Sequence, residues 1–112
     1  MKRGDVFDAR LNPTEGSEQA GVRPVIIVSR DAINQNSSVI VIVPVTKAAN
    51  IKRTYPNNVT ITQGEGGLTV DSVALGGQVR AIATSRLLRQ RGSLSSSTMQ
   101  QVDRALRITL DL

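Results

Sequence analysis

The distribution of apolar and polar residues predicts short β-strands along most of the chain. Residues 6–11 alternate roughly between apolar and polar, the period of a half-buried strand. Residues 24–29 predict a second strand that begins with proline, where the missing N–H does least harm. The segment 39–46 is nearly continuous in β-branched residues, so we expect it to be buried on both faces. Residues 59–62 alternate again, and 68–83 predict one or two strands interrupted by two glycines at a bulge or bend.

Polar and glycine-rich segments separate these strands. Residues 12–21 and 47–58 predict two long loops, because both are rich in polar residues and turn formers. Residues 31–38 are polar and predict a turn. Glycines mark a further turn at 64–67.

The periodicity changes near the end of the chain. Apolar residues there recur at steps of three and four, which predicts an amphipathic helix; they are Met99, Val102, Leu106 and Leu110. A serine at 95–97 is expected to cap this helix, although position 98 lacks the Glu or Gln that completes a capping box. Five or six strands followed by one helix predict a single domain, residues 1–112, built as a mainly β small barrel or sandwich.

The composition excludes several kinds of chemistry. The chain has no cysteine and no histidine, which excludes a thiolate nucleophile, a zinc cluster and the usual general base near neutral pH. We therefore predict neither a bound metal nor a cofactor. The longest apolar stretch, 39–45, is shorter than the ~20 residues of a membrane-spanning helix, and no secretory signal follows Met1. We expect a cytoplasmic protein that does not bind membranes.

The charge balance favours an anionic partner. Fourteen Lys and Arg against nine Asp and Glu give a net charge of +5, and eleven of the fourteen cations are arginine. Arginine binds phosphate in a bidentate manner, so nucleic acid or an acidic protein is the expected ligand. Phe7 and Tyr55, with no tryptophan, are too few rings for a protein that reads single strands by stacking bases on aromatic side chains.

Several short motifs follow one another in a specific order and spacing. They are Arg3-Gly4-Asp5-Val6, Gly16-Ser17-Glu18-Gln19, Gly21-Val22-Arg23-Pro24-Val25, Val43-Pro44-Val45-Thr46, Asp71-Ser72-Val73-Ala74-Leu75, Gln78-Val79-Arg80-Ala81-Ile82, Arg86-Leu87 and the helical ending Ala105-Leu106-Arg107-Ile108-Thr109-Leu110. In this arrangement, nearly the whole sequence resembles the MazF/PemK family of toxins from bacterial type II toxin–antitoxin modules.

The resemblance implies a fold and an activity. Members of this family form a small SH3-like (CcdB/MazF-like) barrel and associate as homodimers. They are sequence-specific endoribonucleases, or mRNA interferases, that cut single-stranded mRNA without a metal and leave a 2′,3′-cyclic phosphate and a 5′-hydroxyl. A cognate antitoxin neutralises each toxin by laying an acidic tail over the RNA groove. The expected partners are therefore single-stranded mRNA, an acidic antitoxin and a second copy of the chain.

Two residues are predicted to be catalytic. Arg23 precedes Pro24, which favours an extended backbone at position 23, and its fork can bind two phosphate oxygens. Thr46 follows the apolar strand, where its hydroxyl can donate to a phosphate oxygen. The resemblance implies catalytic roles for both, because they match the catalytic Arg and Thr of the family. From the residues alone, a solvated Arg23 and a Thr46 bonded to nearby backbone stay open.

The general base is not assigned by the sequence. Some relatives carry an acidic residue just before the glutamine matched by Gln78, but this chain has Gly77 there. Glu18 is an alternative if the loop 12–21 folds towards Arg23. A further alternative is that no residue acts as the general base. Catalysis would then rest on electrostatic stabilisation and substrate strain, and the rate would be modest.

Eight residues are predicted to bind substrate. Five are cations that would contact phosphates, and Gln78 would read a base edge. The set is Glu18, Gln19, Lys47, Lys52, Arg53, Gln78, Arg80 and Arg86.

Two other functions stay open at this level. A barrel that binds nucleic acid or an acidic peptide without cutting would follow from the missing carboxylate at position 77. CcdB-like proteins poison DNA gyrase through a C-terminal aromatic residue, typically tryptophan. This chain has none and ends Thr109-Leu110-Asp111-Leu112, which disfavours that function.

Overall fold

Seven strands and two helices make up the computed structural model, which describes all 112 residues. The strands are β1 (Asp5–Arg10), β2 (Val22–Ile27), β3 (Val39–Lys47), β4 (Asn58–Ile61), β5 (Ser72–Leu75), β6 (Arg80–Ala83) and β7 (Leu87–Ser93), and the helices are α1 (Asp31–Asn36) and α2 (Ser96–Leu110). Neither helix has the length and hydropathy that a membrane-spanning segment requires.

The long strand β3 lies at the centre of an antiparallel sheet. The strand order is β4-β5-β3-β2-β1-β7, with β6 as a further neighbour of β3. Ile42 pairs with both Ile27 of β2 and Arg80 of β6, so these two strands lie on opposite edges of β3. Towards the end of β3, Thr46 pairs with Val73 of β5. The predicted mainly β fold with a C-terminal helix is confirmed.

A glycine turn brings the two ends of this sheet together. The turn between β4 and β5 packs against β7, where Arg91 Nη1 donates a hydrogen bond to the carbonyl oxygen of Gly67 at 3.2 Å. A Cβ on Gly67 would lie 2.1 Å from the carbonyl oxygen of Arg91. Only glycine allows the two backbones to come so close, and the sheet consequently rolls into a nearly closed barrel.

Adjacent residues of β2 and β3 face two separate apolar clusters. The larger cluster contains Ile26 and Val43 and is covered by α2. The smaller cluster contains the neighbouring residues Ile27 and Ile42. Ile42 and Val43 are both 0% exposed, which confirms that β3 is buried on both faces.

Two elements differ from the prediction. Residues 31–38 are predicted to be a turn, but α1 forms there because the buried Asn34 donates from Nδ2 to the carbonyl oxygen of Ser29 at 2.8 Å. The strand β7 was not expected, and it raises the number of strands to seven. Its residues are largely polar and partly exposed, and pairing with β1 rather than apolar alternation holds it in the sheet.

The helix α2 begins at a capping arrangement whose acidic part comes from another segment. Ser95 Oγ accepts from the amide of Thr98 at 3.2 Å, which confirms a serine cap. The acid missing at position 98 is replaced by Glu65, whose Oε2 accepts from the Ser95 amide at 3.1 Å. The apolar face of α2 reaches the core as far as Leu106, whereas Leu110 is 52% exposed.

We expect Glu65→Ala to lower the free energy of unfolding by about 1 kcal/mol near neutral pH, because the start of α2 loses an acceptor. Burial opposes ionisation of Glu65, but hydrogen bonds from Thr98 and Ser95 outweigh it and hold the pKa of the carboxyl below its ordinary value of 4.5. A lowered pKa stabilises the fold fully above that value, and the contribution is lost as the pH falls through the folded pKa.

Chemical denaturation at several pH values measures this difference. The control is Glu15→Ala, because Glu15 is an exposed acid of the β1–β2 loop. The gap between wild type and Glu65→Ala should narrow as the pH falls below 4.5. A gap that stays constant down to the acid-unfolding range contradicts the capping role of the carboxylate.

Candidate active site

A cleft of about 180 Å³ lies where β2 begins and β3 ends. Its lining comes from β2, β3, the segment around the start of β5, and β7: Val22, Arg23, Pro24, Val45, Thr46, Lys47, Leu68, Thr69, Val70, Ser72 and Arg91. Three of these residues are cations and none is an acid, so the cleft suits an anionic ligand with apolar flanks. It brings together Arg23 and Thr46, the two residues predicted to be catalytic. We call it the first cleft.

Strand pairing places Arg23 at the rim of the first cleft. The β2–β3 register pairs Val25 with Pro44, and the same register continued by two residues puts Arg23 opposite Thr46. Arg23 Nε donates to the carbonyl oxygen of Ala20 at 3.0 Å. This bond anchors the inner part of the guanidinium, and its two terminal nitrogens have no protein partner.

Thr46 is 4% exposed and holds its hydroxyl in a defined position. Its Oγ1 accepts a hydrogen bond from Asn50 Nδ2 at 3.1 Å. Asn50 belongs to the single 3₁₀ turn that follows β3. Because the oxygen acts as the acceptor here, the hydroxyl proton stays available for a ligand oxygen.

Of the cations predicted in the second loop, only Lys47 lines the first cleft. Lys52 and Arg53 are exposed on the connection between β3 and β4 and form no ion pair. The structure therefore does not bring them to the first cleft, and their contact with substrate stays a prediction.

Glu18, Gln19, Gln78 and Arg80 line a second cleft, which is more open and has a volume of about 350 Å³. Both the oxygen and the nitrogen of the Gln78 side-chain amide form hydrogen bonds with the β1–β2 loop. Its Oε1 accepts from the Gln19 main-chain amide at 2.9 Å, and its Nε2 donates to the carbonyl oxygen of Ser17 at 3.2 Å. The side chain predicted to read a base edge thus anchors a loop in this conformation.

Arg86 lines neither of these clefts but secures the ends of the same loop. Its Nη1 donates to the carbonyl oxygen of Arg10 at 3.0 Å and also to that of Asn12. In return, Arg10 Nη2 donates to the carbonyl oxygen of Ser85 at 3.2 Å. Arg86 is thereby a positioning residue for the loop, and a substrate contact through its two remaining nitrogens, Nε and Nη2, stays a prediction.

The structure assigns no general base. Glu18 Oε1 accepts from the Glu15 amide at 2.9 Å, and Glu18 lines the second cleft rather than the one that holds Arg23. Gly77 is exposed in the turn after β5. No three His, Cys, Asp or Glu side chains are grouped in a way that could hold a metal ion.

Arg91 and Asp8 are two charged residues at this end of the barrel that sequence reasoning did not identify. Arg91 lines the first cleft, and its Nε lies 2.6 Å from Asp8 Oδ1. Arg89 Nε lies 3.2 Å from the other carboxylate oxygen. Burial opposes ionisation of Asp8, but hydrogen bonds from Arg91 and Arg89 outweigh it and lower the pKa of Asp8 below 3.8. The Arg-Gln-Arg spacing was the available signal, since alternate residues of a strand share a face.

Comparison with known proteins identifies relatives over the full length of the chain. Residues 2–110 match the family described as PemK-like, MazF-like toxin of type II toxin-antitoxin system. The chain is 41% identical over 117 residues to Endoribonuclease MazF9 of Mycobacterium tuberculosis, covering 100% of this chain and 98% of that protein. It is also 41% identical over 112 residues to Endoribonuclease MazF of Staphylococcus epidermidis, covering 100% and 92% respectively.

The fold is shared with solved structures. MazF from Deinococcus radiodurans has a TM-score of 0.84 at 26% identity, covering 100% of this chain and 97% of that one. An endoribonuclease from a mycobacterial species, solved in complex with its cognate antitoxin, has a TM-score of 0.83 at 24% identity, covering 100% and 96%. With the family match over residues 2–110 and the full-length relatives at 41% identity, this chain belongs to the PemK-like, MazF-like toxin family of type II toxin–antitoxin systems.

Proposed function

We propose that this chain is the toxin of a type II toxin–antitoxin module and acts as a sequence-specific, metal-independent endoribonuclease on single-stranded mRNA. The observation that carries the proposal is that Arg23 and Thr46 line one cleft, whose lining contains three cations, Arg23 included, and no acid. The full-length relatives named as endoribonucleases support the same activity. One domain, residues 1–112, performs it in the cytoplasm, where mRNA is found.

In the proposed reaction, a 2′-hydroxyl attacks the adjacent phosphorus. A 2′,3′-cyclic phosphate forms, and the leaving 5′-oxygen departs as a hydroxyl. The terminal nitrogens of Arg23 bind the phosphate oxygens, and the Thr46 hydroxyl donates to the same group. Ala20 and Asn50 hold these two donors in place before the substrate arrives, so they stabilise the charge that grows on the phosphate without reorganisation.

The lining of the first cleft includes no carboxylate and the chain has no histidine, so in this proposal the 2′-hydroxyl proton passes to water and the leaving 5′-oxygen takes up a proton from water. Electrostatic stabilisation and strain of the bound RNA then supply most of the rate enhancement. The cutting rate is accordingly modest.

The remaining predicted residues extend the binding surface along the RNA. Lys47, Lys52 and Arg53 contact phosphates on one side of Arg23 and Thr46. On the other side, a neighbouring nucleotide binds in the second cleft, which is lined by Glu18, Gln19, Gln78 and Arg80. Arg86 holds the β1–β2 loop in place beside this cleft. An acidic antitoxin competes for these cations, in keeping with the antitoxin complex of the mycobacterial relative. A homodimer covers one of the open strand edges.

The test is incubation of the purified protein with a long single-stranded RNA in EDTA. We expect discrete cuts whose 5′ ends are phosphorylated by polynucleotide kinase without prior phosphatase treatment, because the product carries a 5′-hydroxyl. Thr46→Val keeps the shape of the buried side chain and removes the donor, so cutting should fall by about a hundredfold. Intact RNA at micromolar protein contradicts the proposal, as do cuts that disappear in EDTA.

A second function, binding of RNA without cutting, is favoured by the absence of any acid in the first cleft and by Gly77 in the turn after β5. Under this alternative the RNA stays intact, and its affinity falls steeply with salt because phosphate contacts release counterions. The same incubation, followed by a binding titration at several salt concentrations, separates the two functions.

A further inference from the structure

Arg91 is held against the first cleft by two contacts on separate segments. Its Nε lies 2.6 Å from Asp8 Oδ1 of β1, and the side chains of this pair are 21% and 13% exposed. Its Nη1 donates to the carbonyl oxygen of Gly67, in the turn after β4, at 3.2 Å. Two anchors in different directions fix the plane of the guanidinium.

The third nitrogen of this guanidinium, Nη2, makes no hydrogen bond within the protein. Arg91 lines the same cleft as Arg23 and Thr46. A guanidinium held in this way loses little rotamer freedom when a ligand binds, so its contact costs less entropy than that of a mobile surface arginine. Asp8 does not cancel the local positive charge, because it is shared between Arg91 and Arg89.

The sheet separates Arg91 from Arg23. The two residues lie on β7 and β2, and β1 lies between these strands in the sheet. Two strand spacings separate their backbones by about 10 Å, which exceeds the width of one phosphate group. The two arginines therefore suit two different phosphates of one strand.

We infer that Arg91 binds an RNA phosphate that flanks the scissile one, and that Asp8 is the positioning residue that orients it. The inference rests on the proposed function. A contact remote from the reacting atoms is made equally in the ground state and the transition state, so it acts on KM and leaves kcat unchanged.

The chain contains a matched control for this inference. Arg89 lies on the same strand, carries the same charge and contacts the same carboxylate at 3.2 Å. Its side chain is 74% exposed, and it does not line the first cleft. Arg91→Gln and Arg89→Gln therefore make the same change in net charge next to the same acid, and only one of them alters the cleft.

We expect Arg91→Gln to raise KM for single-stranded RNA about tenfold with kcat within about twofold of wild type. The slope of log affinity against log salt should become shallower by about 0.7, the value for one phosphate contact on a single strand. Arg89→Gln should change KM by less than about twofold. Arg91→Lys keeps the charge and the partner Asp8 but loses the forked guanidinium. We therefore expect it to have the wild-type salt slope and a KM between those of wild type and Arg91→Gln.

The outcomes are separable. The inference is overturned if Arg91→Gln and Arg89→Gln change KM equally, because Arg91 then contributes only to the overall charge. It is also overturned if Arg91→Gln lowers the melting temperature and leaves KM unchanged, because Arg91 then has only a structural role. If the wild-type protein cuts RNA and the Arg91→Gln variant has the same KM as wild type, this inference is overturned and the proposed function is not. A wild-type protein that leaves RNA intact overturns the proposed function and this inference with it.

Discussion

Arg23→Ala is expected to lower the rate of RNA cleavage by about a hundred- to a thousandfold. The variant removes the guanidinium whose terminal nitrogens have no protein partner at the rim of the first cleft. Charge on the phosphate grows in the transition state, so the loss should be larger in kcat than in KM. Initial rates on a fluorescent RNA that contains a mapped cut site measure both constants.

The matched control is Arg30→Ala, which removes the same charge at an exposed position just before α1. It should cut RNA within about twofold of wild type, because a distant surface charge is screened by salt. If the two variants lose the same activity, Arg23 contributes only to the overall field of the protein. The melting temperatures of both variants should stay close to that of wild type, since Arg23 forms no ion pair.

Gly67→Ala is expected to lower the free energy of unfolding by about 3 kcal/mol or more. Gly67 has a φ of +71°, and a Cβ there would lie 2.1 Å from the carbonyl oxygen of Arg91. Either the turn leaves β7 or the barrel opens at this seam, and both lose packing between the ends of the sheet. A fall in melting temperature on the order of 10 °C follows for a domain of this size, measurable by thermal unfolding.

Gly64→Ala in the same turn separates the effect of backbone strain at a positive φ from the effect of a steric clash with β7. Gly64 has a φ of +98°, but nothing lies within 4 Å of a Cβ built there. Only the backbone strain applies, so we expect a loss of about 1 kcal/mol. Equal losses in the two variants mean that the left-handed backbone, rather than the close approach to β7, makes Gly67 necessary.

Two residues predicted to contact substrate also anchor the β1–β2 loop. Gln78 holds the loop at Ser17 and Gln19, and Arg86 holds its base at Arg10 and Asn12. Both were predicted as direct substrate contacts. Their hydrogen bonds within the protein fix the conformation of this loop, whose residues Glu18 and Gln19 line the second cleft.

Local periodicity was sufficient for much of the fold. The buried strand β3 and the helix α2 were predicted because their apolar spacing reflects burial directly. Arg23 and Thr46 were recognised through the resemblance, and each lies at one end of a strand that the apolar pattern predicted. The short helix α1 and the polar strand β7 were not predicted, because their stability comes from partners elsewhere in the chain.

The sequence by itself therefore determined the strands with a clear alternation, the terminal helix, the family and the cationic character of the ligand site. Only the tertiary structure decided which distant polar groups meet. Asp8 pairs with Arg91 across 83 residues, and Glu65 caps α2 at Ser95 across 30 residues. Hydrophobic patterning reports whether a side chain is buried and not which polar group it meets, so contacts of this kind follow from the closure of the barrel.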